Sequence, residues 1–315
     1  MNAAATGKPA LVVTAADLAP EALALLQDFS LVFAGKTPTE DDIVALCREH
    51  NPVAIIVRYS KVGAAAMDAA PALRVISKHG SGTDTIDKAA AAARGIQVVA
   101  AVGVNAAAVA EQALALLLAC AKSVVGLDER MRAGHWDKST HKSLELGGKT
   151  IGLIGLGAIG RRMAAMAHGM DMQVIGFDPY AKDLPDHIRA AELNAIWREA
   201  DVVSLHCPLT DDNRGMVNGQ TLAQCKPGVI VVNTARGGLV DEDALLAAVR
   251  SGHVRAAGLD SFAVEPMSAG HPFQTEPRII LSPHIGGVTS AAYVNMGVAA
   301  ARNVLDVLAR AGSAA

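Results

Sequence analysis

Four residues in the last third of the sequence, an arginine, two carboxylates and a histidine, are of types that suit proton and hydride chemistry on a carbonyl. Arg236 follows the apolar run VIVVNTA, Asp260 closes AAGLD with Glu265 five residues on, and His284 follows IILSP. An arginine grips a carboxylate through two parallel hydrogen bonds and polarises the carbonyl beside it. A histidine gives the ketone oxygen its proton as hydride arrives at carbon, and takes it back in reverse. A carboxylate beside that histidine raises its pKa and fixes its tautomer. The set matches interconversion of a 2-keto acid and a 2-hydroxy acid, and the scheme needs no metal. One charged residue at a strand end is more often a cap or a surface ion pair. Three matched residue types on one sheet edge, beside a nucleotide motif, point to catalysis.

The nucleotide motif is IGLIGLGAIG, Ile151 to Gly160. Gly155 serves the tight turn, Gly157 the close approach of backbone to a pyrophosphate, and Gly160 the close packing of helix on strand. The helix that follows offers free N–H groups and a positive dipole end. The motif follows an apolar strand and opens a helix, the context that gives this otherwise weak pattern its meaning. Asp178 ends the next apolar run, 18 positions past Gly160. A carboxylate there accepts from ribose hydroxyls and repels a 2′-phosphate, so NAD is expected rather than NADP. Gly148-Lys149-Thr150 is not a phosphate-binding loop of the NTPase type, because Ser143 stands where that loop needs its first glycine.

Such residues reach one edge only if parallel strands carry them there. Short β-branched runs recur at Leu11 to Val13, Leu31 to Phe33, Ala54 to Val57, Arg74 to Ile76 and Gln97 to Val99. A second series follows at Thr150 to Gly155, Gln173 to Phe177, Asp201 to His206, Val229 to Thr234, Ala256 to Asp260 and Ile279 to Ser282. The runs are continuous rather than alternating, and helical segments separate them, which predicts parallel sheets buried on both faces. Asn105 is an N-cap candidate for one long helix reaching about Arg132, and Ser290 to Arg310 reads as a last helix. The expected fold is α/β, with two doubly wound units.

Composition sets the outer limits. Hydrophobic residues make up 51% of the 315 and aromatics only 3%, which fits large globular cores. A net charge of −3 leaves no basic excess for phosphates, so no nucleic-acid partner is expected. The longest apolar stretch, Ala106 to Ala121, is broken by Glu111 and Gln112 and is shorter than the ~20 residues of a membrane span. No membrane partner is expected. The start, MNAAATGKP, carries no secretory signal pattern. The four cysteines (Cys47, Cys120, Cys207, Cys225) are far apart, so neither a metal site nor a disulfide is expected, and buried thiols in a reducing cytoplasm are.

The chain resembles the D-isomer-specific 2-hydroxyacid dehydrogenase family over nearly its whole length. The resemblance rests on KHGSGTDTID (Lys78 to Asp87), VNAAAVAEQ (Val104 to Gln112), GGKTIGLIGLGAIG (Gly147 to Gly160), LHCPLT (Leu205 to Thr210), NTARGG (Asn233 to Gly238), LDSFAVEP (Leu259 to Pro266) and SPHIGG (Ser282 to Gly287). It implies a Rossmann NAD-binding domain over 105–285, inserted in a flavodoxin-like substrate domain made of 1–104 and 286–315. It implies a catalytic set of Arg236, Glu265 and His284. Ala158 and Ile159 would sit at the pyrophosphate and Asp178 at the adenosine ribose. Cys207, Thr234, Ala235 and Asp260 would surround the nicotinamide end, with Ser81, His206, Pro208 and Gly287 as further cofactor contacts. The loop Gly80, Ser81, Gly82 would hold the substrate carboxylate. A homodimer through the nucleotide domain, with the Asn105 helix taking part, is implied as well.

Within the family, Glu265 argues against formate dehydrogenase, whose pattern has a glutamine there. The segment IVRYSKV is similar to the phosphoglycerate dehydrogenase loop that carries a phosphate-binding arginine; here that residue is Arg58, and Lys78 stands where that branch commonly has arginine. The expected activity is NAD-dependent interconversion of a small D-2-hydroxy acid and its 2-keto acid, of the glyoxylate or hydroxypyruvate type. D-3-phosphoglycerate dehydrogenase is the alternative within the class. An NAD(H)-sensing corepressor-like binding protein is the alternative outside it.

Overall fold

A computed structural model of the chain describes residues 7–312. The first six residues, part of the segment read above as lacking a secretory signal, lie outside the described residues. The chain forms two compact units. One takes the residues up to Asn105 together with those from Gly287 onward, and the other takes Ala106–Gly286.

The smaller unit holds a five-stranded sheet: β1 (Ala10–Val13), β2 (Ser30–Phe33), β3 (Ala54–Val57), β4 (Val75–Lys78) and β5 (Gln97–Ala100). The strands are all parallel, in the order β2-β1-β3-β4-β5. All four residues of β3 are buried, because helices cover both faces. The C-terminal helix Ser290–Gly312 lies on this sheet. It is tied down by Ser77 Oγ donating to the Ala300 carbonyl at 3.0 Å and by Asn303 Nδ2 donating to the Ala100 carbonyl at 3.1 Å.

The larger unit holds seven parallel strands: β6 (Thr150–Ile154), β7 (Gln173–Phe177), β8 (Ile188–Ala190), β9 (Val202–Leu205), β10 (Val229–Asn233), β11 (Val254–Leu259) and β12 (Ile279–Leu281). Their order is β12-β11-β10-β9-β6-β7-β8. The fold is therefore α/β with two doubly wound parallel sheets, as the alternating runs predict. Strand β8 is not among the predicted strands. Its three residues, IRA, expose two side chains on the sheet edge, so no apolar run marks them.

The predicted long helix is in fact two. Ala106–Lys122 ends at Ser123, whose φ of +55° leaves the right-handed helix, and Val124–Arg132 continues at 59° to it. The first segment buries nine residues and packs on β10 and β11. Its backbone comes so close to the sheet that a Cβ on Gly258 would lie 2.7 Å from the Leu116 Cβ. The second segment buries none. Among the described residues, no single helix is long and apolar enough to cross a membrane.

Candidate active site

Parallel strands send all their carboxyl ends to one edge, and in such sheets ligands bind there. In the larger unit that edge collects the Gly-rich turn after β6, Asp178 after β7, and His206, Cys207 and Pro208 after β9. It also collects Thr234, Ala235 and Arg236 after β10, Asp260 and Glu265 after β11, and His284 after β12. The strand order reverses between β6 and β9, which makes the crevice in front of the Gly-rich turn.

The turn has the shape a dinucleotide requires. Gly155 has φ +97°, and a Cβ there would stand 2.7 Å from the Cys207 amide nitrogen. A Cβ on Gly160 would stand 2.0 Å from the Gly155 carbonyl oxygen, so the helix Ala158–His168 rests directly on the turn. Gly157 faces open space, with nothing within 4 Å of its Cβ direction, just before the first turn of that helix. Backbone N–H groups are thus presented to an anion that can come close. The Asp178 carboxylate accepts from the Leu156 amide at 2.8 Å and from the Tyr180 amide at 2.9 Å. These bonds fix its position and leave further lone pairs for hydroxyl donors. Arg161 adds a brace, donating to the carbonyls of Leu156, Lys182 and Asp183 at 2.9, 2.6 and 2.9 Å.

Three buried polar atoms on this edge have no partner among the described residues: His206 Nδ1, Thr234 Oγ1 and Ser261 Oγ. Buried polar groups are normally paired, so an unpaired set lining a crevice fits a polar ligand. Burial pushes the His206 imidazole down to about 4, so it is neutral, and its Nε2 pairs with Ser204 Oγ at 2.9 Å. Burial likewise raises the Cys207 thiol to about 11, which keeps it protonated. Neither group is an acid or base near neutrality. Cys207 is also half-buried, where a fully buried thiol was expected.

The candidate acid–base pair, Glu265 and His284, lies on the same edge. His284 Nδ1 is 2.7 Å from Glu265 Oε2. The other carboxylate oxygen, Oε1, accepts from the Phe262 amide at 2.9 Å. Donating its Nδ1 proton to the Glu265 carboxylate raises the His284 pKa above its ordinary value, outweighing partial burial and the Arg236 charge. Burial pushes the Glu265 carboxyl upward, but the bonds from His284 and Phe262 and the charges of His284 and Arg236 win, and its pKa is lowered. Arg236 follows Asn233, a wholly buried residue that shapes its loop. The Asn233 side chain donates to the Arg236 carbonyl at 2.9 Å and accepts from the Ala235 amide at 3.0 Å. The next residue, Gly237, packs so tightly that a Cβ would fall 1.9 Å from the Phe262 carbonyl carbon. That contact draws the Arg236 loop against the loop that carries Glu265.

Asp260, expected at the nicotinamide end, is 1% exposed and clamps the His284 loop. It accepts from Ser282 Oγ at 2.6 Å, the Ile285 amide at 2.9 Å and the Gly286 amide at 2.7 Å. Gln112 on the helix Ala106–Lys122 completes the clamp, donating to Ser282 Oγ at 3.0 Å. Between these anchors His284 itself takes φ +54°, a conformation few residues other than glycine adopt. Asn233, Ser282, Gln112 and Arg161 were not among the expected site residues. A polar residue inside an apolar helix run was the available signal for Gln112.

The remaining candidates lie in the smaller unit. Arg58 follows β3, Lys78 ends β4, and Gly80, Ser81 and Gly82 follow it. Gly80 has φ +139°, and Ser81 Oγ donates to Asn105 Oδ1 at 3.2 Å. Gly287 lies against the Asn105 amide, where a Cβ would be 2.8 Å from Nδ2.

Comparison with known proteins agrees with this geometry. Residues 114–286 match the family model described as D-isomer specific 2-hydroxyacid dehydrogenase, NAD binding domain. The D-3-phosphoglycerate dehydrogenase of Mycobacterium leprae is 40% identical over 303 residues, covering 95% of this chain and 57% of that protein. This chain thus spans little more than half the length of that relative. The hydroxypyruvate reductase of Thermotoga maritima is 38% identical over 261 residues, covering 82% of this chain and 85% of that one. The crystal structure of the TT0316 protein from Thermus thermophilus superposes with a TM-score of 0.87 at 36% identity, covering 95% of this chain and 96% of that one. The matched model, these relatives and the nucleotide-shaped turn agree: the chain belongs to the D-isomer-specific 2-hydroxyacid dehydrogenase family and carries its NAD-binding domain.

Proposed function

We propose that this protein is an NAD(H)-dependent oxidoreductase that interconverts a small D-2-hydroxy acid and its 2-keto acid, of the glyoxylate or hydroxypyruvate type. The observation that carries the reading is the Glu265–His284 pair, 2.7 Å apart on the same sheet edge as the Gly155–Gly160 cradle. When bound, the nicotinamide supplies a hydride to the substrate's carbonyl carbon, or accepts one from the hydroxyl-bearing carbon. His284 gives the carbonyl oxygen its proton in reduction and removes the hydroxyl proton in oxidation. Glu265 holds the imidazole by Nδ1 and favours its charged form. Arg236 pairs with the substrate carboxylate and polarises the neighbouring carbonyl. Arg58, Lys78, Gly80, Ser81 and Gly82 contribute the other substrate contacts. Gly155, Gly157, Ala158, Ile159 and Gly160 cradle the pyrophosphate, and Asp178 takes the ribose hydroxyls and disfavours a 2′-phosphate.

The protein acts as a homodimer in the cytoplasm on this reading. The helix Val124–Arg132 buries none of its residues, and Val124, Val125, Met131 and nearby Trp136 are 55, 43, 51 and 74% exposed. Exposed apolar side chains along one short segment are what a partner surface leaves on an isolated protomer. The unpaired cysteines support a reducing compartment.

A second reading, D-3-phosphoglycerate dehydrogenase, draws support from the 40% identical relative and from Arg58 and Lys78 on the ligand edge of the smaller sheet. The test is NADH oxidation, followed by absorbance, against glyoxylate, hydroxypyruvate, pyruvate, phenylpyruvate and 3-phosphohydroxypyruvate. A kcat/KM in the range of 10⁴ M⁻¹s⁻¹ or above on one of them supports a dehydrogenase. Negligible turnover of every acid, with NADH still bound, overturns it.

A further inference from the structure

The loop that carries Glu265 has little burial to hold it. Every residue from Ala263 to Gly270 except Met267 is exposed. Backbone with few buried contacts opens at low cost. Glu265 nevertheless stays 2.7 Å from His284. Two features of the larger unit fix the start of the loop. One is Gly237, where a Cβ would stand 2.4 Å from the Ala263 nitrogen, so the Phe262–Ala263 peptide lies flat against it. The other is Glu242, the first residue of the helix Glu242–Ser251, whose Oε1 accepts from the Ala263 amide at 2.9 Å. The amide before it, that of Phe262, donates to Glu265 Oε1 at 2.9 Å. Consecutive amides thus bind Glu242 and Glu265, and the peptide between them is gripped on its other side by the residue next to Arg236.

Glu242 reaches the far end of the loop as well. Its Oε2 is 3.4 Å from His271 Nε2. His271 Nδ1 accepts from the Phe273 amide at 3.3 Å, so in the neutral ring the proton sits on Nε2, on the Glu242 side. The ring is seated edge-on against Phe273, 4.8 Å between centres, and Phe273 is 1% exposed. A cavity of about 170 Å³ remains between the loop and the helix, lined by Glu242, Leu246, Ala263, His271 and Phe273 among others. Packing therefore does not fill this gap, and the Glu242 carboxylate, 20% exposed, bridges it to both ends of the loop.

We propose that Glu242 is the positioning residue of the Glu265–His284 pair, closing the loop 263–271 against its helix and so keeping the Glu265 carboxylate on the imidazole. This inference rests on the dehydrogenase reading above. The charges that act on His284 are those of Glu265, Asp260 and Arg236. Glu242 works on the pair through the Ala263 amide, so its reach and its acceptor oxygen matter, and its charge does not.

The experiment compares the wild type with Glu242→Gln, Glu242→Asp and Glu242→Ala on the keto acid that the wild type reduces best, with NADH. Glutamine keeps an acceptor at full reach. Aspartate keeps the charge but is one methylene short of spanning the gap, and alanine keeps neither. The aspartate and alanine variants are expected to lose about tenfold or more in kcat, as misplacement of a reacting group does. Their reductive pH limb is expected to move lower by about half a unit or more, because His284 loses the neighbour that favours its charged form. Glu242→Gln is expected to stay within about threefold of the wild type with its limb in place, and NADH affinity to stay within about threefold in all three. A glutamine variant as impaired as the alanine one, unchanged kcat in Glu242→Asp, or a loss of kcat with the limb in place overturns the proposal. Should the alanine variant fail to fold, the aspartate and glutamine variants decide in the same way. NMR titration of the His284 ring, assigned by the signal missing in His284→Ala, separates this from failure of the dehydrogenase reading. A His284 pKa lower in Glu242→Asp than in the wild type by about half a unit or more upholds the positioning role even where no keto acid is turned over. An equal pKa overturns it.

Discussion

The imidazole of His284 and the carboxylate of Glu265 meet at 2.7 Å, Nδ1 to Oε2, and the second oxygen of that carboxylate is held by the Phe262 amide. Glu265 cannot swing away without losing a backbone bond, and pairing Nδ1 leaves Nε2 for a substrate oxygen. The His284 pKa is raised above 6.5 by this bond. On the proposed mechanism reduction needs the imidazolium, so reductive kcat/KM should hold below the raised pKa and fall as pH rises through it. Oxidation needs the neutral ring and should rise over the same range. Glu265→Gln removes the charge that favours the imidazolium, so both limbs should move to lower pH. Profiles of wild type and variant in both directions decide this; limbs that stay in place would mean that Glu265 does not tune His284.

His284→Ala removes the proposed proton donor and leaves the Gly155–Gly160 turn and Asp178 untouched. The expected loss in kcat is about two to four orders of magnitude, the usual range for a general acid–base group. NADH affinity, measured by titration of its fluorescence, should stay within about threefold of wild type, since a group acting only on the substrate proton contributes little to cofactor binding. Undiminished turnover would remove His284 from the reaction.

The order of elements was readable because burial on both faces writes continuous apolar runs, as in AIIV of β3 and VVSL of β9. The break at Ser123 was not, since neither glycine nor proline marks it. The pair of Glu265 and His284 was readable from residue types at strand ends. The clamp was not readable. Asp260 spends its oxygens on amides 25 and 26 residues away, and nothing in the side-chain type distinguishes that use from a cofactor contact. The same holds for Asp17, which meets Arg58 across 41 residues.

Asp178 braces the Gly-rich turn and is the proposed ribose ligand, two roles that one substitution can separate. Its carboxylate fixes the Gly-rich turn through the Leu156 amide at 2.8 Å, and it stands where ribose hydroxyls would be held. Asp178→Ala should weaken NADH about tenfold or more, while NADPH, relieved of the repulsion, weakens less or improves. Damage to the turn alone would weaken both equally, because both share the pyrophosphate. An unmoved NADH-to-NADPH preference, measured as the ratio of dissociation constants, would show that Asp178 is not the ribose ligand.

The decisive case for positioning against contact is Asp260. Its carboxylate, 1% exposed, accepts the Ile285 and Gly286 amides and the Ser282 hydroxyl, and so fixes the segment in which His284 sits at φ +54°. An asparagine in its place offers one acceptor oxygen and an amide group that cannot accept, so at least one buried N–H loses its partner, at a cost of about 1–3 kcal/mol. The cheapest relief is for the His284 loop to leave its strained conformation, which carries the imidazole away from Glu265. Asp260→Asn should therefore lower kcat by roughly tenfold to a hundredfold, as misplacement of a catalytic group does. It should also move the reductive pH limb lower, because His284 loses the neighbour that raises its pKa. NADH affinity should change by no more than about threefold if the carboxylate acts through the loop. A loss of NADH affinity that accounts for the whole effect, with the pH limb in place, would instead assign Asp260 to the cofactor.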